Sequence, residues 1–99
     1  MYSPYDRKPF QSKMRIYTGQ IEFGSQPRTW IAKHQSFAST EWLESRVRYG
    51  EWIPDKSAKE QFLIYTTELE GIKPLTILIK LRMFDTYALV YHAHVLRKK

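Results

Sequence analysis

Two histidines separated by one residue are the first candidates for chemistry in this chain. His92 and His94 lie in the segment Tyr87–Leu96, and side chains two residues apart on a strand share a face at a spacing of about 7 Å. Such a pair can begin a zinc site, but zinc takes three or four ligands. The chain has no cysteine, so a third ligand would have to be His34 or a carboxylate, and no pattern indicates one. We therefore predict no metal site and no cofactor.

Basic side chains in the preceding segment give these histidines a second interpretation. Lys80 and Arg82 share one parity in Leu75–Met83, so pairing of the two strands places both cations on the face of the histidines. Tyr65 belongs to the same predicted face. Sheets that bind RNA combine cations, which hold phosphates, with aromatic rings, which stack on bases. This constellation predicts a nucleic-acid-binding face.

The same face has two further interpretations. A metal-free ribonuclease needs a general base, a general acid and a cation for the phosphorane, roles that Glu68, His92 and Arg82 would take. Alternatively, the face is a dimer or helix-packing surface with a charged rim, because it also carries Leu63, Leu78, Val90 and Leu96. The chain contains no glycine-rich phosphate loop, serine nucleophile elbow, HExxH motif or EF-hand loop. The sequence therefore favours a protein that is not an enzyme.

Positive charge is concentrated at the two ends of the chain. The sequence has 16 Lys and Arg against 10 Asp and Glu, which gives a formal net charge of +6. Such an excess suits polyanions, although it also serves simply to keep a small domain in solution. The candidate nucleic-acid-binding residues belong to the basic ends and to the sheet face: Arg7, Lys8, Lys13, Arg15, Lys80, Arg82, His92, His94 and Arg97.

Length and composition predict a single domain spanning residues 1–99. Residues 1–12 predict an extended basic arm and residues 13–99 a globular part. The apolar runs are too short to span a membrane and the N-terminus lacks the apolar core of a signal peptide. We therefore expect no membrane insertion and a location inside a cell. The chain lacks both Cys and Asn, two thermolabile residues, which is typical of a thermostable protein.

Four segments predict strands. Met14–Phe23 alternates apolar and polar residues, with a shift of phase that a bulge at Gly19 would repair. Phe62–Glu68, Leu75–Met83 and Tyr87–Leu96 follow, separated by short turn sequences. In the first hairpin, an opposite-charge pair at the turn, Glu68 with residue 73, would place residue 64 opposite residue 77 on an apolar face.

The second hairpin has two possible registers, which differ by one residue. A two-residue loop sets His92 opposite Ile79, whereas a three-residue loop at residues 85–87 sets Ala93 opposite Ile79 and Tyr91 opposite Leu81. We prefer the longer loop because it keeps histidine off the apolar face. The second face of the sheet then carries Leu63, Tyr65, Leu78, Lys80, Arg82, Val90, His92 and His94.

Residues 39–50 predict one main helix. Ser39 or Thr40 can cap its first turn, and Gly50 can supply a left-handed residue after its last. Residues 24–27 indicate a turn, and residues 29–33 fit either a strand or the start of a helix. The predicted fold is α+β: an antiparallel sheet of about four strands with one main α-helix packed on it.

Three long stretches of the chain resemble one viral protein family. The stretches are MYSPYDRKPF, TEWLESRVRYGEWIPD and KPLTILIKLRMFDTYALVYHAHVLRKK, and together they resemble small proteins of unassigned activity from filamentous viruses that infect hyperthermophilic, acidophilic archaea. The resemblance contains no functional motif, so it implies no catalytic or binding residue. It implies a heat-resistant, homodimeric viral accessory protein in the host cytoplasm.

Three kinds of partner follow from these observations. The leading expectation is a non-enzymatic homodimeric binding module, because the chain has many aromatic residues and a sheet with two apolar faces. The second is a nucleic-acid-binding protein, and the third, for any small viral protein, is direct contact with a host protein.

Overall fold

Two helices cover one face of a five-stranded sheet in the computed structural model, which describes residues 16–96. The strands lie in the order β1-β5-β4-β3-β2. The elements along the chain are β1 Gln20–Phe23, α1 Ser25–Lys33, α2 Thr40–Tyr49, β2 Ile53–Pro54, β3 Gln61–Glu70, β4 Lys73–Met83 and β5 Tyr87–Leu96. The predicted α+β class is therefore confirmed. The predicted arm, residues 1–12, lies outside the described residues.

The sheet is mixed, whereas the sequence predicted an antiparallel one. β1 runs parallel to β5, and the other neighbouring strands are antiparallel. The first strand begins at Gln20, so residues 16–19, Gly19 included, are not part of it, although the sequence predicted that they were. The predicted start at Met14 lies outside the described residues. β2 has two residues, which is too short for a periodic pattern to reveal.

The predicted turn at residues 24–27 is wrong, because α1 begins there. Gly24 precedes the helix in an extended conformation, and Pro27 is buried in its first turn. Proline is tolerated at this place because the first N–H groups of a helix have no partner within it. The ambiguous residues 29–33 complete α1, so the protein has two helices rather than one main helix.

The main predicted helix is confirmed as α2, and its first turn is capped by Ser39. The Ser39 hydroxyl accepts a hydrogen bond from the Trp42 N–H at 3.0 Å. Gly50 ends the helix for a different reason from the predicted one, since its φ is −80°. A Cβ at position 50 would lie 2.4 Å from the Arg46 carbonyl oxygen and 2.9 Å from Ile64 Cγ2. Glycine therefore allows the end of α2 to approach β3 closely.

The β3–β4 hairpin is offset by two residues from its predicted register. Glu70 lies opposite Lys73, so Ile64 faces Ile79 and not Ile77. An offset of two keeps each side chain on its predicted face, and Ile64 and Ile79 are both almost completely buried.

The β4–β5 hairpin contains both of the registers that the sequence allowed. The Phe84 N–H donates to the Tyr87 carbonyl, so the loop has two residues and Leu81 lies opposite Val90, not Tyr91. An irregularity between Lys80 and Leu81 then shifts the pairing by one residue. Beyond it Ala93 lies opposite Ile79, as predicted.

The hydrophobic core lies between α2, α1 and the inner face of the sheet. Leu43 and Val47 of α2 are completely buried, as are Ile77, Ile79 and Leu81 at alternate positions of β4. Val90 belongs to this core with no exposed surface, so its predicted place on the second face is wrong. The bulge moves Val90 to the covered face and leaves the histidines on the other.

Candidate nucleic-acid interface

The outer face of the sheet, opposite the helices, brings together the predicted basic and aromatic side chains. Their places follow from the register, in which Lys80 lies between Leu63 and His92, and Leu78 between Tyr65 and His94. Side chains alternate between the two faces of a strand, and the intervening residues are the buried core. We call this surface the bare face: Leu63, Tyr65, Leu78, Lys80, Arg82, Leu89, Tyr91, His92 and His94.

Four of the nine predicted nucleic-acid-binding residues are therefore neighbours. Lys80 and His92 are directly opposed on adjacent strands, a separation of about 5 Å between Cβ atoms. Arg82 is exposed two positions further along β4. The other five predicted residues, Arg7, Lys8, Lys13, Arg15 and Arg97, lie outside the described residues.

The two histidines of the bare face bind each other. His92 Nε2 and His94 Nδ1 are 2.7 Å apart, so one ring nitrogen donates a hydrogen bond to the other when at most one ring is protonated. Burial lowers the pKa of His92 below its usual value, and the His94 ring and the Lys80 ammonium lower it further. His92 is therefore mainly neutral near pH 7, and a phosphate beside it would favour its protonated form.

Tyr91 joins the bare face through the bulge in β5. Its hydroxyl donates a hydrogen bond of 2.8 Å to Gln61 Oε1. Burial raises the pKa of Tyr91, the Asp55 carboxylate adds to that effect, and Arg82 opposes it. Tyr91 therefore remains an uncharged aromatic ring in neutral solution.

One carboxylate lies within electrostatic reach of this end of the face. The Ser57 hydroxyl and N–H donate hydrogen bonds of 2.7 and 3.0 Å to Asp55 Oδ1. These bonds, with a smaller effect of Lys80, hold the pKa of Asp55 below its usual value. Asp55 therefore remains ionised and limits the positive potential near Lys80.

An aromatic pair at the β4–β5 turn extends the bare face. Phe84 and Tyr87 stack with their ring centroids 4.9 Å apart, and the Arg82 guanidinium lies 5.3 Å from the centroid of Phe84. This arrangement holds a cation beside an exposed ring, as in cation–π pairs. The sequence did not indicate Tyr87, Leu89 and Tyr91, because the bulge that decides their faces gives no sequence signal. Phe84 has the parity of Lys80 and Arg82, but its contact with Tyr87 depends on the length of the hairpin loop.

Gln26 holds β5 in place beyond the end of β1. Its side-chain Nε2 donates to the Ala93 carbonyl at 2.9 Å, and its Oε1 accepts from the Ala93 N–H at 2.8 Å. The amide thereby replaces a strand partner at the residue between the two histidines. Sequence reasoning had no means of finding this contact, since the two residues are 67 positions apart.

The proposed ribonuclease residues do not come together. Glu68 accepts hydrogen bonds from Trp42 Nε1 and Arg46 Nη2 of α2, so it lies on the helix-covered face of the sheet. His92 and Arg82 lie on the bare face, so the prediction of Glu68 as a general base for the same substrate is wrong.

A cleft of about 430 Å³ lies between the end of α1 and the β3–β4 turn and adjoins the bare face, since its lining includes His94 together with Lys33, His34, Glu70 and Lys73. Within residues 16–96, no group of three or more His, Asp or Glu side chains is arranged to hold a metal ion. Neither helix of this part of the chain is long and apolar enough to cross a membrane.

No protein-family model, curated protein or solved structure matches this chain.

Proposed function

We propose that this protein is a non-enzymatic binding protein that holds single-stranded nucleic acid on its bare face. The observation that carries the proposal is the grouping of Lys80, Arg82 and the histidine pair with Tyr65 and Tyr91 on a sheet face that neither α1 nor α2 covers. Cations beside aromatic rings suit a strand whose bases are free to stack while its phosphates lie against positive charge.

Single strands fit this surface better than duplexes. The bases of a duplex are already stacked on each other, and a side chain can reach their edges only from an element that enters a groove. Within the described residues the bare face is a sheet surface from which no helix projects. Tyr65 is 51% exposed, so its ring is available to stack on an unpaired base.

The test is a fluorescence anisotropy titration with labelled oligo-dT, oligo-U and duplex DNA at several salt concentrations. We expect single strands to bind more tightly than the duplex. If Lys80 and Arg82 each contact one phosphate, they contribute about −1.4 to the slope of log K against log salt, at about −0.7 per phosphate. The Lys80→Gln/Arg82→Gln variant should lose this part of the slope.

A matched control removes the same charge from α1, which packs on the other face of the sheet. Arg28 and Lys33 are exposed on α1, and Arg28→Gln/Lys33→Gln should leave the affinity for oligo-dT almost unchanged. An equal loss in both double variants would show that net charge alone attracts the polyanion, and would contradict the proposal. No binding of any oligonucleotide at low salt would also contradict it and would direct attention to a host protein.

A second candidate function, self-association as a homodimer, is supported by exposed apolar side chains beside β3. Tyr65 and Leu69 of β3 are 51% and 58% exposed and lie on the same face of the strand with Thr67 between them, and exposed large apolar residues on one strand often mark an interface. Light scattering gives the mass in solution, and a monomer across the micromolar range would contradict this second proposal.

The viral setting is a proposal that rests on the sequence resemblance alone. It places the protein in the cytoplasm of an archaeal host as a thermostable accessory protein. Detection of the protein in infected cells, but not in uninfected ones, is the direct test.

A further inference from the structure

One edge of the sheet is left open along most of β3. β2 pairs only with Phe62 and Leu63, and within residues 16–96 no strand pairs with this side of β3 from Tyr65 to Leu69. The Gln61 carbonyl accepts a hydrogen bond from the Asp55 N–H on the β2 side of β3, whereas the Glu60 carbonyl accepts one from the Met83 N–H on the β4 side. Odd-numbered residues of β3 therefore direct their backbone groups outward, so these groups of Tyr65, Thr67 and Leu69 are available.

Exposed apolar side chains are concentrated along the same edge. Among the described residues the exposed large hydrophobic side chains are Ile16, Tyr49, Ile53, Tyr65, Leu69, Ile72 and Phe84. Five of these seven lie on β3, on the flanking β2 and α2, or at the β3–β4 turn. Open edges are normally protected by charged side chains, proline or a bulge. In residues 65–69 there is no proline or bulge, and the one charged residue, Glu68, is engaged by Trp42 and Arg46 of α2. The edge therefore has the features of an interface.

We propose that a second copy of this chain pairs with this edge, with the two β3 strands antiparallel and Thr67 opposite the partner's Thr67. This inference specifies the interface of the homodimer proposed above and rests on that proposal. The occupant is a second copy because the edge complements itself. About a two-fold axis at Thr67, the exposed Tyr65 lies opposite the exposed Leu69 in both directions, and Glu68 lies opposite Thr66, so that no like charges meet.

The central position at Thr67 follows from the hydrogen bonds and the charges. It gives three hydrogen-bonded pairs between the two chains, each with two bonds. In one pair Thr67 lies opposite the partner's Thr67, and in the other two the Tyr65 of one chain lies opposite the Leu69 of the other. Tyr65 and Leu69 lie on the bare-face side, so an aromatic ring packs against an aliphatic chain, a favourable cross-strand pair.

The neighbouring registers are worse for identifiable reasons. A pairing centred on Glu68 sets two carboxylates opposite each other, which is destabilising, and forms fewer hydrogen bonds. A pairing centred on Thr66 brings the partner's Leu69 opposite Leu63, where Ile53 is already paired. With Thr67 at the centre, the partner's Glu70 lies opposite Ile64, so the pairing stops one residue before Leu63, which is paired with Ile53. The next residue of the partner, Gly71, has a φ of +66° and turns the partner's chain away from β2.

Pairing of this kind has a consequence for the bare face. The two-fold axis of an antiparallel pair is perpendicular to the sheet, so both bare faces lie on the same side of one continuous sheet. The Lys80 and Arg82 cations of the two chains would then lie along one surface, and a strand long enough to reach both would bind more tightly than a short one.

The test compares two lysine substitutions that are neighbours in the sheet. Thr67 and Thr76 are opposite each other in β3 and β4, both exposed, but only Thr67 is on the open edge. In sedimentation equilibrium we expect wild type and Thr76→Lys to be dimers and Thr67→Lys to be a monomer with an unchanged circular dichroism spectrum. If Thr76→Lys is also monomeric, the two copies pack through their bare faces, which overturns the proposed edge pairing.

A cross-link tests the position of the two-fold axis. The chain has no cysteine, so Thr67→Cys introduces a single thiol per copy, and the Cα atoms of the proposed pair would be about 5.5 Å apart, within disulfide range. We expect a disulfide-linked dimer from Thr67→Cys and none from Thr76→Cys. A dimer with no cross-link at position 67 would overturn this register.

The proposed nucleic-acid binding and the proposed dimer fail separately in these experiments. Monomeric Thr67→Lys should still bind a short oligonucleotide with the wild-type affinity, corrected for the added charge by comparison with Thr76→Lys. A monomeric wild type across the micromolar range overturns the edge pairing but leaves the bare-face proposal intact.

Discussion

Removal of the Gln26 side chain should destabilise the protein through a single backbone residue. In Gln26→Ala, the N–H and C=O groups of Ala93 lose hydrogen bonds of 2.8 and 2.9 Å, and Ala93 has no exposed surface. Each bond is worth about 0.5–1.5 kcal/mol net, so the free energy of unfolding should fall by about 2 kcal/mol. For a chain of this length, that corresponds to a decrease in Tm of about 10 °C.

Urea denaturation followed by circular dichroism measures this change. Gln35→Ala is the control, because it makes the same substitution at an exposed residue of the turn after α1, and it should cost less than about 0.5 kcal/mol. Amide hydrogen exchange should also accelerate at Ala93, between the two histidines of the bare face. A loss of stability in Gln26→Ala no larger than in Gln35→Ala would refute the conclusion that this amide replaces a strand partner.

Three further substitutions test the account at separate places. Ser39→Ala removes the cap of α2 and should lower the free energy of unfolding by about 1 kcal/mol. Tyr65→Ala should weaken oligo-dT binding by about 1–3 kcal/mol if the ring stacks on a base. The pKa of His92 is lower in the folded protein than in the unfolded chain. As the pH falls below about 6.5, the unfolded chain therefore binds more protons at His92 than the folded protein does, which lowers the free energy of unfolding. At higher pH His92 is neutral in both states and has no such effect. His92→Gln should therefore reduce the loss of wild-type stability on acidification, and it should also reduce the gain in oligo-dT affinity that protonation of His92 gives.

Each of these has its own control. Thr40→Ala changes the first residue of α2 without removing the cap, so equal losses in the Ser39 and Thr40 variants would contradict the cap. Tyr49→Ala removes an exposed ring on the helix side and should leave oligo-dT binding unchanged. Parallel pH profiles of unfolding for wild type and His92→Gln would contradict the lowered pKa.

The parts of the fold that the sequence predicted are those with long, regular patterns. Residues 75–83 are apolar at every odd position, and three of the four even positions are polar, so the faces of β4, and with them Lys80 and Arg82, follow from the period alone. Likewise the cap at Ser39 and the stop at Gly50 bound α2, although the reason for the glycine is the close approach of Ile64 and not a left-handed backbone.

The parts that the sequence did not predict depend on tertiary contacts. α1 begins at residues that resemble a turn, and its position is set by Gln26 on Ala93 and by burial of Trp30. The parallel pairing of β1 with β5 joins distant segments, which no local period encodes. The bulge opposite Lys80 and Leu81 moves Val90 to the core and Tyr91 to the bare face. It is needed because the two-residue loop sets Leu81 opposite Val90, whereas burial of Ala93 requires that residue to lie opposite Ile79, in a register shifted by one residue.

Amide chemical-shift mapping with oligo-dT is the most direct test of the central claim. Titration into isotope-labelled protein should perturb the amides of residues 63–65, 78–82 and 91–94 on the strands that form the bare face, and leave those of α1 and α2 unchanged. Perturbations confined to the helices, or to the cleft beside Lys33 and Lys73, would contradict the account.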